Sequence, residues 1–242
     1  MFRSKPLATS LFALTFCGAV FAGDDHGAPV TPAPYKPGVT MSRAVQAGIT
    51  PDSAIEILKS GNARFVAGKP LVRQVKKHVA QTALGQYPFA SVLSCIDSRS
   101  GPEIVFDQNI GDVFAARVAG NIVNEDILGS LEYASKVAGS RLVVVLGHTH
   151  CGAVKGACDG VKMGNLTGLL DKISPAVSAV QTTGERSSKN HKFVEDVAEM
   201  NVDLVIKTIR EKSPILKDLE AAGKIKIVGA VYDTDNGKVI WR

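Results

Sequence analysis

Two short strings hold most of the residues able to do chemistry: "SCIDSR" at 94–99 and "GHTHCGA" at 147–153, with Gly147 lying 53 positions after Ser94. Thiolate, imidazole and carboxylate are the donors that tetrahedral zinc accepts, and the three-residue step from His148 to Cys151 lets one turn supply two of them. Cys95, His148, Cys151 and Asp97 thus form a candidate ligand set for Zn2+. Asp97 and Arg99 leave two arrangements open. The carboxylate either binds the metal and closes the site, or accepts the two-pronged hydrogen bond of the guanidinium and leaves a coordination position for water. Two thiolates and a neutral imidazole cancel the charge of the ion, which makes it a weaker Lewis acid than one held by three histidines. A reaction run here is expected to quicken toward alkaline pH.

Plainer readings stand beside this one. Cys95 alone suits an ordinary buried cysteine, and Cys95 with Cys151 suits a disulfide if the chain is exported. His26, His78 and His191 sit in polar contexts without partner spacing, and His150 is expected to point away from His148. Cys158 reads as a small core residue. Gly152 opens a turn into a helix, so its N–H is expected to face a carboxylate-like anion.

Strand ends are what could bring these groups together. "FASVLSC", "VFAARVAG" and "RLVVVLGH" are short apolar runs rich in Val and Leu, each ended by a polar or glycine-containing turn. "NEDILGSLEYASKVAGS" between the last two has helical spacing at Ile127, Leu131, Ala134 and Val137. Strands buried on both faces and separated by helices make a parallel sheet. Upstream, "PDSAIEILKSGNARFVAG" is an amphipathic helix started by Pro51 and Asp52 and stopped by Gly68, with a short helix over "MSRAVQAG" before it. Downstream, helical patterns lead to "KIKIVGAVYD", which turns through "DTDNGK" into "VIW". The expected fold is α/β: a mostly parallel β-sheet flanked by α-helices, with an N-terminal helical arm and a C-terminal β-hairpin. In such sheets functional groups gather at the carboxyl ends of the strands, where Cys95, Asp97, His148 and Cys151 are expected.

The whole chain sets the context. Arg3 and Lys5 precede an apolar run of about 16 residues ending in "VFA", so residues 1–22 read as a signal peptide and the product as periplasmic or secreted. The run is short of the ~20 residues that span a bilayer, so no membrane attachment is expected after cleavage. Residues 23–39, with four prolines, read as an extended leader unable to bury itself, and 40–242 as one α/β domain. Loss of Arg3 and Lys5 lowers the formal charge from +5 to +3, too mild for a nucleic-acid binder. Cys95, Cys151 and Cys158 then remain, an odd set that argues against a disulfide framework.

With these residues placed, the sequence resembles the β-class carbonic anhydrases, here of a bacterial, secreted or periplasmic kind. The match rests on "CIDSR", "HTHC" and the intervening "FDQNIGDVFAARVAGN" and "GSLEYA", and covers roughly residues 54–182. The resemblance implies one Zn2+ per chain on Cys95, His148 and Cys151, with Asp97 as exchangeable fourth ligand or as partner of Arg99 in catalysis. It implies that zinc-bound hydroxide attacks CO2 to give bicarbonate. It further implies that Gln86, nine residues before Cys95, donates to the substrate, and that Phe114 and Tyr133 line an apolar wall. Part of that wall comes from a neighbouring subunit in the family, which implies a homodimer or dimer of dimers. Without the resemblance, Phe114 and Tyr133 read as core packing.

Two departures qualify the match. Val92 stands where members with a regulatory bicarbonate pocket have tryptophan, although Arg117 occupies the place of that pocket's arginine. Ser100-Gly101-Pro102 replaces the usual continuation after Arg99, and the glycine is expected to loosen the loop. Two alternatives share the scaffold: hydrolysis of carbon disulfide or carbonyl sulfide on the same zinc site, and a non-catalytic zinc-binding protein. A nucleotide-binding sheet is disfavoured, because no G-x-G-x-x-G follows a strand.

Overall fold

The computed structural model describes residues 30–242; the expected signal peptide, the start of the leader and His26 lie outside the described residues. The described part of the leader packs more closely than its composition suggests. Ala33 N–H donates to Ala44 O at 2.9 Å, and the Tyr35 ring meets Phe89 edge-on at 6.3 Å. Burial, with the Asp112 carboxylate nearby, pushes the Tyr35 phenol up to about 12. The leader fails to bury itself alone, but α1 (Arg43–Gly48) and α2 (Pro51–Val66) give it a surface. α2 begins as its sequence directs: Thr50 and Ser53 form a reciprocal capping box, and Pro51 occupies the first turn, where its missing N–H costs nothing. A third helix, α3 (Val75–Thr82), follows and buries only His78, whose Nδ1 lies 3.2 Å from Thr40 Oγ1.

The strands are β1 (Ala90–Ser94), β2 (Val113–Arg117), β3 (Leu142–His148), β4 (Lys226–Tyr232) and β5 (Val239–Trp241). Their order is β2-β1-β3-β4-β5, parallel except for the antiparallel β4–β5 hairpin. β3 is buried along its whole length, and its alternate side chains serve two layers. Leu142, Val144 and Leu146 join Leu58, Phe89 and Phe106 on the face covered by α1 and α2. Val143 and Val145 join Leu93, Ile206 and Ile209 on the other. Fully burying each such aliphatic side chain contributes roughly 1.5–3 kcal/mol. β2 departs from the expectation of strands buried on both faces. It is one of the sheet's two edges, and from Phe114 to Arg117 it alternates between half-buried and exposed.

Crossovers carry the remaining helices. α4 (Pro102–Val105) links β1 to β2, and α5 (Glu125–Glu132) runs on through a π turn at Tyr133–Val137 toward β3. α6 (Gly152–Cys158), α7 (Gly164–Leu170) and α8 (Ser174–Ala179) follow β3. α9 (His191–Lys212) and α10 (Pro214–Ala221) then return the chain to β4. From β1 the chain steps to β2 on one side and later to β3 on the other, so the gap between the carboxyl ends of β1 and β3 is the switch point where such sheets place their sites. No described helix is long and apolar enough to cross a membrane.

Candidate metal centre

Cys95 follows the last residue of β1, His148 ends β3, and Cys151 caps α6. Ser94 pairs with Leu146 in the parallel ladder, which brings these chain segments side by side. All three side chains are buried, and one donor atom from each lies within 4.8 Å of the others. The two sulfurs are free thiols rather than a disulfide. His150 turns away, as expected: at φ 56° it reverses the chain, and its Nε2 lies 3.1 Å from Asp235 Oδ2. Cys158, at the end of α6, is half-buried against the same apolar cluster.

The electrostatics suit a cation. His148 Nδ1 lies 2.8 Å from Thr149 O; a carbonyl only accepts, so Nδ1 carries the proton and Nε2 the lone pair. That Nε2 is buried and has no hydrogen-bond partner among the described residues. A metal-ligating histidine is held in this way, with its second nitrogen tied to a carbonyl. The thiols behave as a pair sharing one proton. Donation from Cys151, and then from the Gly120 N–H, pulls Cys95 far below an ordinary thiol against the effect of burial. The Cys95 thiolate and burial push Cys151 up, against N–H groups of Val154 and Ala153 that favour its anion. A divalent ion would take the place of the shared proton and permit two thiolates side by side. The first turn of α6 therefore serves the Cys151 sulfur. Gly152, expected to meet an anion there, opens this helix without a side chain.

Of the two arrangements open to Asp97, the structure has the arginine pair. Asp97 Oδ1 accepts from Arg99 Nε and Arg99 N, each at 3.0 Å, and Oδ2 accepts from Arg99 Nη2 at 2.8 Å. This fork holds the carboxyl well below the usual carboxylate range. Oδ2 stays 3.9 Å from His148 Nε2, beside the donor cluster and outside it.

The loop is tied down rather than loosened. Ser100 is buried, and its hydroxyl donates to Asp97 O at 3.0 Å. The Gly101 carbonyl accepts from Ile104 N and Val105 N as α4 begins. Sequence reasoning placed Arg117 only by analogy. Here its Nε donates to Cys95 O at 3.0 Å and its Nη2 to Asp97 O at 2.6 Å, clamping the backbone of both residues. Gly120, whose N–H donates to Cys95 Sγ at 3.3 Å, was missed. Its signal was a glycine between "RVA" and "N" that no strand or helix pattern requires.

The other expected site residues lie elsewhere in the chain. Gln86 is exposed and precedes β1, while Cys95 follows it. Phe114 pairs with Ser91 in the ladder and packs edge-on to Tyr133 at 6.2 Å. Tyr133 is 51% exposed. Within one chain these three stand apart from the thiol–imidazole cluster.

Two thiols and an imidazole converging at the switch point of a parallel sheet define an α/β protein with the donors for a metal. Comparison with known proteins narrows this. A carbonic anhydrase family model matches residues 90–239. Carbonic anhydrase 2 of Mycobacterium tuberculosis (strain H37Rv) is 36% identical over 198 residues, covering 79% of this chain and 93% of that protein. The carbonic anhydrase of Mycolicibacterium smegmatis is 37% identical over 191 residues, or 78% of this chain and 92% of that one. Two solved structures share the fold. The tetrameric β-carbonic anhydrases of the ascomycete Sordaria macrospora align with TM-score 0.59 at 24% identity, over 78% of this chain and 96% of that one. Coccomyxa β-carbonic anhydrase in complex with acetazolamide aligns with TM-score 0.62 at 23% identity, over 78% and 84%. The chain belongs to the β-carbonic anhydrase family.

Proposed function

We propose that this carbonic anhydrase hydrates CO2 reversibly to bicarbonate and a proton, using one zinc ion held by Cys95, His148 and Cys151. The observation that carries the reading is the orphaned lone pair of His148 Nε2, buried against two sulfurs. Three donors suit a catalytic site that keeps one position open, and the capture of Asp97 by Arg99 favours that open form over a closed, inert one. When bound, zinc supplies the Lewis acidity that makes a water nucleophilic near neutral pH. Asp97, ionised and acceptor-only, orients a water beside the cluster through Oδ2, and Arg99 fixes the carboxylate in that role.

The substrate wall supports a homo-oligomer. Strand β1, five residues and roughly 17 Å long, lies between Gln86 and Cys95. Phe114 and Tyr133 line a cleft of about 740 Å3 beside the exposed edge of β2. In a dimer, Gln86, Phe114 and Tyr133 of one subunit serve the metal of the other. The basic and apolar opening of the chain supports a periplasmic or secreted location for this assembly.

Stopped-flow CO2 hydration on zinc-quantified protein, wild type beside Asp97→Asn, from about pH 6.5 to about pH 9 tests the reading. One zinc per chain and a rate that climbs with pH are expected, with the variant slower throughout. Stoichiometric zinc without hydration at any pH would end this assignment and turn attention to carbon disulfide or carbonyl sulfide.

A further inference from the structure

The buried face of α9 has one polar interruption within Val194–Val205. Asn201 is 2% exposed and sits among Val197, Ala198, Val202 and Val205. An amide in such a place is costly unless it is hydrogen-bonded. The Asn201 amide donates to Gly120 O at 2.9 Å, across 81 positions of sequence. Gly120 is the residue whose own N–H donates to Cys95 Sγ. The two bonds act on adjacent peptide planes that meet at the Gly120 Cα.

Glycine is required there. At φ +67° a Cβ on Gly120 would fall 2.5 Å from Ile173 Cδ1 and 3.2 Å from Ala153 Cβ. The same freedom that lets glycine adopt this conformation leaves it without a side chain to hold it. The restraint must come from outside, and Asn201 supplies it. α9 is a firm base for this, because it also presses on the strand that carries His148: Val202 Cγ2 lies 2.8 Å from where a Cβ on Gly147 would stand.

We propose that Asn201 is a positioning residue of the metal centre. By holding the Gly120 carbonyl it aims the Gly120 N–H at the Cys95 sulfur, which fixes the direction of that ligand and moderates its charge. The inference rests on the reading of Cys95, His148 and Cys151 as zinc ligands.

The test compares Asn201→Asp, which keeps the size but loses the N–H donor, and Asn201→Leu with the wild type. Val205→Ala on the same buried face is the packing control. Zinc affinity is read by competition with a chromophoric chelator, the thiolate-to-metal charge-transfer band from the cobalt-substituted protein, and folding by circular dichroism. Both Asn201 variants are expected to bind zinc about tenfold to a hundredfold more weakly and to shift the cobalt band. Val205→Ala is expected to lower the thermal midpoint and leave both metal readouts alone. Folded Asn201 variants with wild-type affinity and spectrum overturn the inference. If neither variant folds, the test passes to wild-type protein loaded with 113Cd. Scalar coupling from the Gly120 amide proton through sulfur to cadmium supports the relay, and its absence overturns it. A wild-type chain that binds no zinc overturns the metal reading itself, an outcome distinct from matched binding by wild type and variants.

Discussion

Whether Arg99 matters through charge or through direction can be decided from the ordinary behaviour of a carboxylate. Asp97 would be ionised at neutral pH even without its partner, since an unperturbed aspartate titrates near 3.9. The further depression caused by the Arg99 fork therefore changes nothing about its charge at pH 7. What the fork decides is where the carboxylate points. Without it, Oδ2 is free to close the 3.9 Å that separate it from His148 Nε2 and to compete for the open metal position. Arg99→Ala should retain zinc, lose CO2 hydration by roughly a hundredfold, and bind azide more weakly in its cobalt form. Arg99→Lys keeps the charge but lacks the fork, and should resemble the alanine variant more than the wild type. A lysine variant with near-normal rate would show that charge, not direction, is what Arg99 contributes.

Elements hold such residues in place, and one of the turns between them carries a pH dependence of its own. Asp112 closes the loop ahead of β2 and is fully buried. Its Oδ2 accepts from Asn109 N and Nδ2, both at 2.9 Å, and its Oδ1 has no partner among the described residues. Burial raises this carboxyl to about 6, despite the hydrogen bonds that favour its anion. The folded chain thus holds this proton more tightly than the unfolded one. The associated stability is complete below about pH 4 and is lost as pH rises through 6, at a cost on the order of 3 kcal/mol above that. Asp112→Asn should therefore gain about that much relative to wild type between pH 4 and pH 7, as read from denaturant midpoints. An equal difference at both pH values would refute the assignment. Little of this was legible in the sequence. β1 and β3 could be read because apolar runs rich in Val and Leu have few other uses, β4 because Ile and Val recur through "KIKIVGAVYD", and strand ends then placed Cys95 and His148 together. α3 could not: "VKKHVAQT" leaves Val75 and Val79 exposed and buries only a histidine, so no apolar face announces it. The packed leader was hidden because its prolines erase periodicity while Tyr35 finds its partner, Phe89, 54 positions away. The choice made by Asp97 was hidden for a similar reason, since Arg117 clamps its backbone from the next strand.

At the scale of the whole molecule, the residues of the proposed site fall into two groups at opposite ends of β1. Cys95, His148 and Cys151 lie at the carboxyl ends of the strands, while Gln86 lies ahead of β1 and Phe114 near the beginning of β2. If the halves meet only across a two-fold axis, each residue serves its neighbour's metal, and self-complementary contact makes two equal sites. Subunit mixing separates this from a pocket closed within one chain. Gln86→Leu keeps its metal donors and spoils its neighbour's wall; Cys95→Ser keeps its wall and spoils its own metal site. Each should be nearly inactive alone. After co-refolding at equal amounts, half of the dimers are hybrids, and each hybrid has one site built from an intact metal half and an intact wall half. Hydration should return to about a quarter of the wild-type value. In a pocket confined to one chain every site in the mixture carries one defect or the other, and no activity returns. Recovery near a quarter also requires that subunits exchange, which a tagged pull-down of the mixed dimer measures separately. Hybrid dimers without recovered activity would place Gln86 in the pocket of its own chain, and a Gln86→Leu protein fully active alone would place it outside the site.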